Sequence, residues 1–141
     1  TNRTFFITGI KLEPVQVTDF EHETFEEALR KCQRYYVRAG GANYASVFGV
    51  GGIANTTGSW FGFGDLPVPM RAGFSLTQSG GTPRIQNGQA GFNASSVSAS
   101  LSNTNHSSIS MGCNASGLTL YRWHNIDCGA GATLFEFNAE L

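Results

Sequence analysis

Charge is what this sequence has least of. Only 13% of its 141 residues are Asp, Glu, Lys or Arg, against ~25% in ordinary soluble domains. The net charge of −1 gives no basic field to draw in a polyanion, so nucleic acid is not expected as a partner. A disordered chain would need more charge than this to stay solvated. Long apolar runs are also missing. The longest candidate, Tyr44 to Ala54, is interrupted by Gly49, Gly51 and Gly52 and falls short of the ~18 residues that span a bilayer. No membrane insertion is expected. Cysteine is scarce and odd in number: Cys32, Cys113 and Cys128 do not make a disulfide framework. They read as reduced thiols of a protein assembled in a reducing cytoplasm. The chain begins at Thr1 with no visible signal peptide, and is read as processed or as a piece of something longer.

The charge that exists is crowded into one end. Residues 1–38 hold 12 of the 19 charged side chains, and no Lys occurs after Lys31. This head opens with a strand-like run, Thr4 to Thr8, followed by an extended connector through Pro14 to Glu23. Residues 1–23 are therefore read as a junction from a preceding domain and 24–141 as the domain proper. Thr24-Phe25-Glu26-Glu27 has capping-box spacing, which starts a short helix. Phe25, Ala28, Leu29 and Cys32 form its apolar stripe, and Glu26–Arg30 and Glu27–Lys31 are acid-first i,i+4 pairs. So short a helix is marginal alone, and its stripe is expected to pack.

Beyond Tyr35 the period becomes two. Val97, Ala99 and Leu101 alternate with serines, Ile109, Met111 and Cys113 with Ser and Gly, and Phe135, Phe137 and Ala139 with Glu and Asn. Each is a strand with one face inward. Turn signals separate the strands at Gly40-Gly41, Gly51-Gly52, Ser79-Gly80-Gly81, Asn87-Gly88 and Ser116-Gly117, with Asn87-Gly88 suited to a two-residue type I′ hairpin. The expected fold is all-β: an antiparallel β-sandwich, jelly-roll-like, with one short N-terminal α-helix. Its outer faces carry Ser, Gly, Asn and Thr without guarding lysines. Bare edges of this kind invite pairing, so an oligomer is expected to cover them.

Several patterns resemble chemical motifs. Gly49-Val50-Gly51-Gly52-Ile53-Ala54 fits G-x-G-x-x-A, but turn-forming Asn55 to Ser59 follows where a helix is required, and no acid lies about twenty residues on. It reads as a glycine-rich strand and loop. Cys113, His124 and Cys128 fall short of four zinc ligands and lack a C-x₂₋₄-C pair. Cys32, with His22 or His124, is a conceivable nucleophile; on the helix stripe it reads as packed and inert. Glu21, Glu23, Glu26 and Glu27 suit capping and solvated pairing better than glycoside cleavage. The five N-x-S/T sequons, at Asn2, Asn55, Asn93, Asn105 and Asn114, arise readily in so Asn- and Ser-rich a chain and matter only after secretion. No catalytic, cofactor-binding or metal-binding residue is assigned. Trp60, Phe61, Phe63, Tyr121, Trp123 and His124 are the aromatics suited either to a core or seam or to sugar stacking.

The head carries a resemblance. Ile7-Thr8-Gly9-Ile10-Lys11-Leu12-Glu13 resembles the "ITG-x-QLE" segment of fibre and appendage proteins of tailed bacteriophages, especially from aquatic hosts. Asp19 to His22 and Glu26 to Tyr36, ending in Cys32-Gln33-Arg34-Tyr35-Tyr36, are similar to the family's "FEHRSYGEELALCQRYY". Leu66 to Ala72 resembles "FPVPMRATP", and Asn138-Ala139-Glu140-Leu141 its "DAEL" ending. Lys11, Glu23 and Gly73-Phe74 depart from the pattern, and between Arg84 and Phe135 the match is only in style. The resemblance implies the distal domain of a homotrimeric virion knob, assembled in the bacterial cytoplasm. It would be joined to other virion proteins through its N-terminal side and would touch a host surface glycan. It implies a structural and adhesive protein, not an enzyme. The alternatives are a capsid decoration protein without a receptor role and a glycan-cutting depolymerase. Since the head would point toward the virion, receptor contact falls to the body loops. Asn55, Trp60, Trp123, Asn125 and Asp127 are the candidate receptor-binding residues.

Overall fold

The computed structural model describes residues 23–102 and 106–140. The strand expected over Thr4–Thr8 and the junction segment, apart from Glu23, lie outside the described residues.

The helix forms where the sequence puts it. Helix α1 spans Phe25–Gln33. Thr24 Oγ1 accepts a hydrogen bond from the Glu27 amide at 3.3 Å, and the Glu27 carboxylate accepts one from the Thr24 amide at 3.0 Å. The Thr24 amide, and the Thr24 hydroxyl donating to Glu27 Oε2 at 2.8 Å, hold the Glu27 carboxyl below its usual pKa. Glu26 pairs with Arg30 at 2.8 Å. The expected Glu27–Lys31 pair does not form, because Glu27 is engaged at the cap and Lys31 pairs with Glu23. The stripe departs from expectation. No residue of α1 is buried; Phe25 is 83% exposed and Leu29 41%. Among the described elements the helix packs chiefly against the strand that follows it. Cys32, expected to be packed, is exposed.

Among the described residues nine strands follow: β1 (Tyr36–Gly40), β2 (Ser46–Ala54), β3 (Ser59–Asp65), β4 (Ser75–Ser79), β5 (Arg84–Gln86), β6 (Gly91–Leu101), β7 (Ser108–Ala115), β8 (Trp123–Asp127) and β9 (Leu134–Asn138). The protein is all-β and antiparallel with one short helix. In place of a jelly-roll arrangement, six strands close into a barrel in the order β2-β3-β7-β6-β5-β8, and β1-β9-β4 form a separate sheet. Closure gives every barrel strand two neighbours, but β6 pairs with β5 only over Gly91–Asn93 and with β7 over Ala94–Leu101, so its serine-rich half keeps one open side. Among the described residues the outer sides of β1 and β4, each five residues long, are free edges as well.

The alternating strands appear as expected. Val97, Ala99 and Leu101 of β6 are half-buried between exposed serines, and Ile109, Met111 and Cys113 of β7 and Phe135 and Phe137 of β9 are buried. Two turn assignments change. Asn87-Gly88 opens a four-residue connection, in which the Asn87 side chain accepts from the amides of Gln89 and Ala90 at 3.0 and 2.9 Å. Gly51-Gly52 is not a turn but the middle of β2, paired to Asn125 and His124 on one side and to Phe63 and Gly62 on the other.

β2 also carries a bulge. Its register against β8 shifts between Ser46 and Gly51, where Phe48 (φ 50°) and Gly49 (φ 64°) adopt left-handed backbone. An extra residue re-phases the strand, so Val47 and Val50 are both fully buried although three apart. Phe48 meets Phe137 of β9 at a ring distance of 5.4 Å. Phe74 meets the same ring at 5.1 Å. These contacts join the barrel to the small sheet in one continuous core.

Candidate functional site

The site begins with what glycine leaves open. β2 and β3 pair so that Ile53 lies opposite Phe61 and Gly51 opposite Phe63. β2 and β8 pair so that Ile53 lies opposite Trp123 and Gly51 opposite Asn125. Alternation puts these side chains on the outer face of the barrel. A Cβ at Gly51 would overlap the Trp123 ring and fall 2.7 Å from Asn125 Oδ1. The indole therefore rests on bare backbone. Its Nε1 donates to Asn125 Oδ1 at 3.1 Å, which fixes its rotation, and the side chain stays 60% exposed. Phe61 and Phe63 meet edge to face, centroids 4.9 Å apart. With Ile53 and Asn55 they line a groove of about 540 Å³. Beside it, sharing Asn55 and Phe61, is a second depression of about 210 Å³ lined by Ser96, Ser98, Gly112 and Asn114. No charged side chain lines either one.

The five candidate residues divide. Trp123, Asn125 and Asn55 come together at the groove. Asn55 Oδ1 accepts from Ser59 Oγ at 2.6 Å, which leaves its amide NH₂ to the surface. Trp60 belongs to the interior: it is 1% exposed, and its Nε1 donates to the His124 carbonyl at 3.2 Å. Gly62 makes room for it, since a Cβ there would overlap its ring. With no open face, Trp60 cannot stack on a ligand. Asp127 is also buried and is ion-paired to Arg84 at 2.7 Å. It accepts from the Gly129 amide at 2.8 Å as well. Hydrogen bonding to Asp127 raises the Arg84 pKa, and Arg84 lies 4.6 Å over the Tyr44 ring. This cluster is structural. Ile53 and Gly51 escaped the sequence reading because both sat inside an apparent turn motif. The signal was there in Trp60-Phe61-Gly62-Phe63, whose period of two splits the aromatics between the two faces.

Among the described residues several other chemically capable groups are engaged or enclosed, whereas the Cys32 thiol is exposed. His124 is fully buried, its Nδ1–H donates to the Arg122 carbonyl at 2.7 Å, and its Nε2 has no partner. Burial pushes the Cys113 thiol up to about 12 and raises that of Cys128. Asp65 accepts from Ser108 Oγ at 2.7 Å, and Glu136 accepts from Tyr36 and lies 3.7 Å from Arg38. No group of three or more metal-ligating side chains occurs among the described residues.

No family model matches the chain, and no curated protein or solved structure matches it either.

Proposed function

We propose that this chain is an adhesive structural domain, the distal part of a trimeric appendage on a bacteriophage virion, which holds a host surface glycan in the groove beside Trp123. The observation that carries this reading is the Trp123 ring, laid on glycine backbone, held by Asn125 and open on its other face. A monomeric protein rarely leaves Trp, Phe and Ile together on one surface unless they bind something. A flat aromatic face flanked by amides is suited to a sugar ring, with its apolar C–H face and polar rim. No carboxylate lines the groove, which supports binding over cleavage. The head motifs ending in Cys32-Gln33-Arg34-Tyr35-Tyr36 supply the virion resemblance. The uncovered stripe of α1 supports assembly with neighbouring copies and with whatever precedes it on the N-terminal side. Weak binding in each subunit would be raised by three-fold avidity.

The test uses the labelled protein and envelopes of the host bacterium. Light scattering should give about three times the 15.1 kDa of one chain. Trp123→Ala should keep that mass and lose most envelope binding, whereas Cys32→Ser should change neither. A monomeric mass would remove the trimer, and full envelope binding by Trp123→Ala would remove the groove.

A further inference from the structure

The two depressions differ in character and adjoin. The larger is apolar, floored by Ile53, Phe61 and Phe63 beside Trp123, and the smaller is polar, with Ser96, Ser98 and Asn114. The strand registers put them in line. Trp123 lies opposite Ile53, Ile53 opposite Phe61, Phe61 opposite Gly112 and Gly112 opposite Ser98. This row crosses five strands, roughly 19 Å at the usual ~4.8 Å spacing. Gly112, between Phe61 and Ser98, keeps the path low where the apolar lining gives way to the polar one.

We infer that the row is one binding strip for a neutral oligosaccharide, with a methyl-bearing pyranose at the Trp123 end and hydroxyl-rich residues across β7 and β6. The inference rests on the glycan reading of the groove and narrows it. The strip is uncharged along its length, so an acidic sugar would lose hydration with no counter-charge to replace it. Trp123 offers a stacking face, but Ile53, Phe61 and Phe63 offer no hydrogen bonds, and hydroxyls pressed against them would be left unpaired. A methyl group, either of an N-acetyl substituent or of a 6-deoxy carbon, fills that floor without this penalty. Beyond Phe61 the lining changes to Ser and Asn, which can both donate and accept. A protein ligand apolar enough for the first depression has no comparable reason to continue into the second.

The experiment titrates the intact chain with chitotetraose, cellotetraose, methyl α-L-rhamnoside, methyl glucoside and tetragalacturonate, following tryptophan fluorescence. Trp60 is enclosed, so the response reports Trp123. Chitotetraose is expected to bind at least fourfold more tightly than cellotetraose, and the rhamnoside at least fourfold more tightly than the glucoside, the gain from one buried methyl. Tetragalacturonate is expected not to bind. Asn114→Ala should weaken chitotetraose and leave the rhamnoside unchanged. Equal binding of cellotetraose and chitotetraose would overturn the methyl assignment and leave the glycan reading standing. Failure of every probe, with envelope binding still dependent on Trp123, would overturn the neutral strip alone. Failure of every probe with envelope binding independent of Trp123 would overturn both. Acrylamide quenching that finds Trp123 shielded in the assembled protein would make the face a subunit seam and also overturn both.

Discussion

Gly51 and Gly62 sit on neighbouring strands under the two tryptophans, yet substitution should affect them differently. Trp123 is free to swing outward, so Gly51→Ala should leave the melting temperature nearly unchanged while displacing the ring and red-shifting its emission. Trp60 is enclosed, and a Cβ at Gly62 would also fall 2.8 Å from the Gly51 carbonyl oxygen. Gly62→Ala should cost about 1–3 kcal/mol by overpacking, measured by denaturant unfolding. Arg84→Ala would strand the Asp127 carboxylate in a buried position, at a cost of about 3 kcal/mol. The thiols make a third test. Burial raises those of Cys113 and Cys128, whereas Cys32 is exposed. A thiol reagent at neutral pH should modify one cysteine rapidly and the other two only on unfolding. The sequence could not separate Trp60 from Trp123. Both are flanked by alternating residues, and which side of the sheet is inward depends on pairings far along the chain.

Helix α1 is the element most legible in the sequence. Its capping box, its start and its Glu26–Arg30 pair all follow from local spacing, and local spacing is all they need. Its partner was not legible, because an apolar stripe states that something covers it but not what. Leu29→Asp therefore separates two situations. In dilute single chains the melting temperature should stay the same, since Leu29 is largely exposed there. If copies assemble through the stripe, the midpoint of dissociation should move to higher protein concentration. The cap itself is sensitive to pH. The Glu27 pKa is depressed in the folded helix, so its contribution is present above the unfolded carboxyl value of about 4.3 and is lost as pH falls through the lower folded value. Far-ultraviolet circular dichroism should show that acid-induced loss, and Thr24→Ala should lessen its pH dependence without abolishing it, because the Thr24 backbone amide, the larger cause of the shift, remains. Strand β2 was the least legible element. Gly51 and Gly52 carry the turn signature, and only the Trp123 ring over Gly51 and the close backbone of Phe61 and Gly62 at Gly52 explain why glycine stands mid-strand.

At the scale of the whole molecule, the strand content and the inward alternation of β6, β7 and β9 were legible, because each is a property of neighbouring residues. Closure was not. It depends on β3 pairing with β7, β5 with β8 and β2 with β8, and none of these pairs is adjacent in sequence. Closure also changes how the serine-rich faces are understood. They are largely the solvated outside of the barrel, but the β6 run from Ser96 to Leu101 is paired to β7 alone and keeps an open edge on which self-association can still occur. The groove follows the same logic, since two of its walls come from strands about seventy positions apart.

The junction of β2 with β8, which pairs Ile53 with Trp123, also sets an order of events. Contacts of such sequence separation place a protein among the slow folders, on the millisecond-to-second scale. On the ribosome, the first half of the barrel must wait with β2 unpaired on one side until β8 has emerged, exposed meanwhile to misassembly. The groove is completed by that last closing pair. Binding in the groove, on the glycan proposal, would then also be a readout of finished folding, and a nascent or truncated chain ending before Trp123 would lack the groove's stacking face.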